Sequence, residues 1–256
     1  MAFEYVSVED AITRDGLRMV VVGGVPSPWG EAAKGILHIK NIDWAAVRLV
    51  YDSDALNEWA GQQTGPVAIY ENEPPRSGWS EILLLAQRLA PAPALIPKDP
   101  AERALMFGLA HEICAEGGLG WTRRLQLIHN GLNDAGGFPQ PVAQYLANKY
   151  GYSPAAGAAA GQRVVELLNL LTARLKAQQA AGSEFYIGNS VTALDVYSAT
   201  FTTMFAPLPP EHCEMHPKTR DAFNTLDAET KAAVDPILPA HRDMMYAKFL
   251  ALPLSL

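Results

Sequence analysis

Residues 90 to 100, APAPALIPKDP, place four prolines in eleven positions. Each proline fixes φ and removes a backbone donor, so neither a helix nor a central strand can run through such a stretch. It reads as a stiff, extended connection, and it divides the chain into two domains of different pattern.

On the amino-terminal side, apolar β-formers at Leu17 to Val22 predict a short buried strand. Pro26 and Pro28 bracket Ser27, and a helix is predicted from Pro28 to about Ile39. Val47 to Tyr51 predicts a second strand and, after the turn-prone QQTG, Pro66 to Tyr70 a third. The following ENEPPRSG makes at best a short edge, because paired prolines cannot donate to a ladder. Trp79, Ile82, Leu83, Ala86 and Leu89 carry the spacing of a one-faced helix that stops at Pro91. Residues 1–90 therefore read as an α/β domain, with 1–16 as an amino-terminal extension and 91–98 as the linker.

From residue 99 to 256 the pattern is all-helical. Asp99 caps a helix with Pro100 in its first position, and Gly117 and Gly118 interrupt it. Further helices are predicted near Pro141 to Lys149, along Val164 to Leu175, from Thr192 to Phe205, and near Ala228 to Val234 and Ala240 to Leu250. The stretch from Thr192 is apolar nearly all round, which places it at the centre of its domain. Thr192 and Asp195 read as its capping box.

Composition removes several classes of function. With 49% hydrophobic residues among 256, the chain has ample material for two cores. A formal charge of −7 argues against a nucleic-acid partner, which calls for a basic face. The acidic amino terminus and the absence of any run of about 18 apolar residues predict a soluble, cytoplasmic protein with no membrane partner. Cys114 and Cys213 are far apart, so neither a disulfide framework nor a redox dithiol is indicated. His111-Glu112 begins like HExxH but lacks the second histidine, and His212-Cys213-x-x-His216 lacks a fourth ligand, so no metal is expected. GGLGW at 117 to 121 is not a dinucleotide fingerprint.

Three stretches, in their order and spacing, resemble the cytosolic glutathione transferases over nearly the whole chain. Ser27-Pro28-Trp29 is similar to the start of the first helix in the serine-type tau class, and stands where the omega class has Cys-Pro-aromatic. Gly65-Pro66-Val67 stands at the family's cis-proline, and Gly188 to Asp195 resembles the capping motif of its second domain. The resemblance implies a thioredoxin-like first domain, a helical second domain, a homodimer, and glutathione as co-substrate. It also implies that Pro66 is cis and that the Gly65 backbone pairs with the cysteinyl part of glutathione.

Ser27 has two readings. As an N-cap its oxygen accepts an N–H from the first turn. Alternatively its hydroxyl donates to a ligand thiolate that the helix's partial positive charge also favours. A free thiol of pKa about 8.5 is only a few per cent ionised at neutral pH, and such contacts lower that value by about one to two units. A serine cannot form a mixed disulfide, so reductase chemistry is disfavoured.

The family's Glu-Ser before its third helix, which holds the γ-glutamyl carboxylate, is missing. Alignment on Ile82 puts Gly78 and Trp79 there, and Arg76, Ser77 and Ser80 are the candidates for that carboxylate. Trp29, His111 and Trp121 are the aromatic candidates for the pocket of a small hydrophobic electrophile. Two functions follow: a transferase that uses Ser27 and glutathione, or a transferase-like fold kept as a ligand-binding or scaffold protein.

Overall fold

The computed structural model describes residues 4–256. It divides into two compact units. The first runs to Leu95 and is completed by Pro209–Met215 and Phe249–Leu256; the second comprises Ile96–Leu208 and His216–Lys248. Boundaries drawn along the sequence at 90 and 99 miss this discontinuity, because nothing local in a sequence reports a pairing across two hundred residues.

The first unit holds β1 (Tyr5–Val6), α1 (Val8–Thr13), β2 (Leu17–Val21), α2 (Pro28–Ile39), β3 (Trp44–Arg48), α3 (Asp54–Ala60), β4 (Val67–Tyr70) and α4 (Trp79–Leu89). The sheet order is β1-β3-β2-β4. β1 and β2 each run parallel to β3, while β4 runs antiparallel to β2 with Val67 opposite Val20. Every residue of β2 is buried, as expected of a strand covered on both faces.

The predicted helices from Pro28 and Trp79 end where their apolar stripes end. The second strand lies three residues earlier than expected: Ala45 and Ala46 are weak β-formers on sequence but pair with Arg18 and Met19 in the buried centre. Position 53 explains the shift, because its hydroxyl accepts the Leu56 N–H at 3.2 Å and starts α3, which the sequence reading left out. The predicted extension is also more than a tail. Tyr5 and Val6 add an edge strand beside Ala46 and Val47, and Ala11 is wholly buried in the same core; residues 1–3 of that extension lie outside the described residues. The doubtful edge after β4 is a single bridge between Ala68 and Arg76.

Lys40, at the end of α2, is 3% exposed and donates to Gln87 Oε1, the Ala90 carbonyl and the Pro93 carbonyl at 2.7 to 2.9 Å. Burial among these neutral oxygens pushes its pKa down. One ammonium thus ties α2 to the end of α4 and to the proline-rich stretch.

The second unit contains α5 (Pro100–Cys114), α6 (Leu119–Leu132), α7 (Gln140–Lys149), α8 (Pro154–Ala180), α9 (Ala193–Thr202), α10 (Pro217–Asn224), α11 (Ala228–Ala233) and α12 (Ile237–Lys248). α6 went unrecognised because Gly117 and Gly118 read as a simple interruption. They form instead a tight link between helices: Gly117 has φ +76°, and a Cβ at Gly118 would meet the Glu112 carbonyl at 2.8 Å.

All ten residues of α9 are buried, as its all-round apolar pattern requires. The Asp195 carboxylate accepts from the Tyr186 N–H, the Thr192 N–H and the Thr192 hydroxyl at 2.8 to 2.9 Å. His241 Nε2 on α12 approaches it at 3.1 Å. The predicted capping box of Thr192 and Asp195 is present, and the Thr192 hydroxyl also donates to the carboxylate. Arg123, fully buried and held down to a pKa of about 10 by burial, donates to the carbonyls of Met204, Phe223 and Thr225.

Asp195→Ala strands several buried donors at about 1–3 kcal/mol each. Chemical denaturation of this variant should show a loss of at least about 3 kcal/mol; a loss below about 1 kcal/mol would show that the carboxylate is not the joint of the helical unit.

Candidate functional site

The β2–α2–β3 crossover is parallel, so the chain leaves the carboxyl end of β2, turns through residues 22 to 26 and starts α2 at that end of the sheet. Because β4 is antiparallel to β2, it begins there too, with Val67 opposite Val20. The Gly65–Pro66 peptide bond just before it is cis. A Cβ at Gly65 would lie 3.4 Å from the Val20 carbonyl and 3.5 Å from the Val22 N–H nitrogen, so the residue rests against the end of β2. Arg76 then bridges back to Ala68, returning the chain to the start of β4 two residues before Gly78 begins α4. Topology alone thus brings the amino termini of α2 and α4, together with Gly65, to one end of the sheet.

At the first of these, Ser27 has the extended φ and ψ of an N-cap, and its carbonyl accepts the Glu31 N–H at 2.8 Å. Its hydroxyl makes no capping hydrogen bond. The oxygen lies over Gly30, where a Cβ would stand 3.9 Å away, and the residue is half-buried. Pro28 has no N–H, while the N–H groups of the first turn receive no side-chain cap.

The second amino terminus is similar. Gly78 has no side chain to cap with, and its own N–H donates to Glu81 Oε2 at 2.9 Å. Ser80 is half-buried in the first turn, and Trp79 is half-buried beside it. Ser77 Oγ accepts from Gln62 Nε2 at 2.6 Å, and Gln62 Oε1 accepts from Thr64, so the loop before Pro66 is pinned to the approach of α4. Arg76 is engaged with Glu73 at 2.5 Å. Glu73 also pairs with Arg88 at 2.6 Å, and these two guanidinium groups, Arg88 first, hold its carboxyl below the usual carboxylate range. A carboxylate ligand at Arg76 would have to compete with that pair.

Glu31 was not singled out from sequence. It is 7% exposed, one turn along α2 from Ser27, and burial pushes its carboxyl up despite the adjacent Lys34 ammonium at 2.5 Å. The only sequence signal was an i,i+3 acid–base pair on an otherwise apolar helix.

Of the pocket candidates, Trp29 is half-buried in the first turn of α2. In the helical unit, His111 is exposed in the last turn of α5. Trp121 is half-buried and packs edge-on to Tyr150, with ring centroids 5.6 Å apart and the Arg124 guanidinium 5.5 Å from its centroid. A separate hollow of about 370 Å³ in that unit is lined by Gly137, Phe138, Pro139, Lys218 and Asp221 among others, and by none of the predicted pocket residues. His216 Nδ1 accepts the Lys218 N–H at 3.2 Å, and the His212 carbonyl accepts the Leu254 N–H at 2.8 Å.

No family model and no curated protein matches the sequence. Solved structures do match in fold. A glutathione S-transferase of Methylobacterium radiotolerans in complex with glutathione sulfonate has a TM-score of 0.57 and 19% identity, covering 91% of each chain. A glutathione S-transferase domain-containing protein of Marinobacter aquaeolei gives 0.61 and 16%, covering 90% of this chain and 98% of its own. The tau-class glutathione S-transferase of mango gives 0.53 and 19%, covering 90% and 98%. The chain has the glutathione transferase fold: a thioredoxin-like domain followed by an all-α domain. Among the described residues no helix is long and apolar enough to cross a membrane.

Because the folded-state pKa of Glu31 is raised above its unfolded value, its contribution to stability is fully present below the ordinary carboxylate pKa and is lost as pH rises through the raised one. Denaturation across a pH series should show wild type losing stability relative to Glu31→Gln as pH rises over that interval. A pH-independent difference would contradict the assignment.

Proposed function

We propose that the protein is a glutathione-dependent transferase in which Ser27 donates a hydrogen bond to the glutathione thiolate, and that this sulfur attacks a small, apolar electrophile. The sulfur lone pair forms the new bond to carbon, and the leaving group departs with its electron pair, or a carbonyl or alkene accepts it. The carrying observation is that the Ser27 hydroxyl stands at an N-cap position without capping. A capping hydroxyl would be committed to the helix; this one is available to a ligand.

Three features support the reading. The amino terminus of α2, with its uncapped N–H groups, favours an anion beside Ser27. The cis Gly65–Pro66 unit presents backbone against the end of β2, where the resemblance puts the cysteinyl part of glutathione, with Val67 continuing into the strand. The start of α4, with Ser77 and Ser80, offers hydroxyl and N–H donors to a carboxylate where the usual Glu-Ser is missing. The fold is shared with a transferase solved with glutathione sulfonate. We extend the reading to a cytoplasmic homodimer, as the resemblance implies.

Glutathione at a hundred times its dissociation constant should stabilise the protein by about 2.7 kcal/mol. Ser27→Ala should lower kcat by about 10- to 100-fold, corresponding to about 1.4–2.7 kcal/mol of lost thiolate stabilisation, with the glutathione KM changed less than about threefold. Unchanged turnover with an electrophilic acceptor would remove Ser27 from the chemistry.

A further inference from the structure

The hollow of about 370 Å³ in the helical unit is lined from the α6–α7 link and from α10, and its volume falls within the roughly 300–1,000 Å³ that small-molecule sites span. Both of its sides are tied to α6. On one side the Ala135 N–H donates to the Asn130 carbonyl at 2.9 Å, and the Phe138 N–H to the Leu127 carbonyl at 3.1 Å. On the other, buried Arg123 donates to the Phe223 and Thr225 carbonyls at 3.2 and 3.1 Å. The two sides meet at Gly136, where a Cβ would stand 2.7 Å from Thr225 Cγ2. The hollow is therefore preformed, and a guest entering it need not order its walls.

Its lining carries charge that the protein itself leaves uncommitted. Asp134, Lys218 and Asp221 are exposed there, and among the described residues none of their side chains makes an ion pair or a hydrogen bond. Lys218 and Asp221 stand three residues apart on α10, the spacing at which Glu31–Lys34 and Arg163–Glu166 do pair, yet these two stay apart. Elsewhere in the same unit opposite charges close directly, Lys176 on Asp235 at 2.5 Å and Lys248 on Glu184 at 2.7 Å. Half-buried Phe138 and buried Ala222 give the hollow an apolar surface beside these charges.

We propose that this hollow binds a free basic α-amino acid of the arginine kind, with its carboxylate at Lys218, its two cationic groups at Asp134 and Asp221, and its methylenes against Phe138. The balance of charges makes the choice. Two carboxylates and one ammonium complement a guest that carries two cations and one carboxylate; a simple amine leaves Lys218 repelled, and a zwitterion with a neutral side chain leaves one aspartate unanswered. The charged groups are exposed, so each pair contributes modestly and binding weakens with salt. The hollow lies wholly within the second unit, and the proposal stands apart from the transferase reading.

The test is amide NMR of the full chain at low salt, titrated with L-arginine. Wild type should bind with a dissociation constant below about 5 mM, with the shifts centred on 131–140 and 218–225. L-citrulline, which has nearly the same shape but a neutral side chain, should bind at least about threefold more weakly, and so should agmatine, which lacks the carboxylate. The Asp134→Asn/Asp221→Asn double variant should lose at least about fivefold in arginine affinity, and Lys218→Met at least about threefold without weakening agmatine. Because these side chains have no protein partner, both variants should keep the wild-type Tm. Absence of saturable shifts at those residues overturns the proposal, as does equal binding of arginine and citrulline. Agmatine binding as tightly as arginine would leave only a cation-attracting surface, and that too overturns it.

Discussion

The pairing of β2 with two neighbours of opposite direction governs the rest of this structure. β3 is reached by a parallel crossover through α2, so α2 must begin at the carboxyl end of β2. β4 is antiparallel, so Gly65 and Pro66 must arrive at that end as well. One register, Val20 opposite Val67, brings a helix amino terminus and a glycine backbone to the same end of the sheet. The burial of all five β2 residues makes the arrangement expensive to disturb, since a slip of one residue would turn each side chain to the opposite face.

The electrostatics of that end follow from two helices that start there without side-chain caps. The partial positive charge at a helix amino terminus favours negative charge. Glu31 opposes this, being a buried acid one turn inside α2, and Lys34 offsets it at 2.5 Å. The same ammonium also takes a backbone carbonyl from the far end of the sequence. A single lysine thereby joins the buried Glu31 carboxyl group to the placement of segment 249–256.

How much of this a reader of the sequence could see depends on the range of the interaction. The start of α2 and of α5 is legible because Ser27-Pro28 and Asp99-Pro100 are local signals, and Asp99 does accept the Ala101 and Glu102 N–H groups. The cis-proline position is legible only through family likeness. β3 was displaced because two alanines take their strand character from pairing, not from propensity. α6 was hidden by a pair of glycines that link helices. The burial of Glu31, the return of 209–215 and 249–256 to the first unit, and the pairing of Glu73 with Arg88 are products of long-range or tertiary packing, which a local pattern does not report. Whether the Ser27 hydroxyl makes a capping hydrogen bond was not legible either, because the position and backbone conformation are the same in both cases.

The central claim is that a sulfur anion is stabilised beside an uncommitted serine oxygen at the start of α2. Titrating the ultraviolet absorbance of the thiolate in the glutathione complex, in wild type and in Ser27→Ala, tests it most directly. The account predicts a bound thiol about one to two units below its ordinary pKa of about 8.5 in wild type, and a return most of the way toward that value without the hydroxyl. The same pKa in both proteins would contradict it.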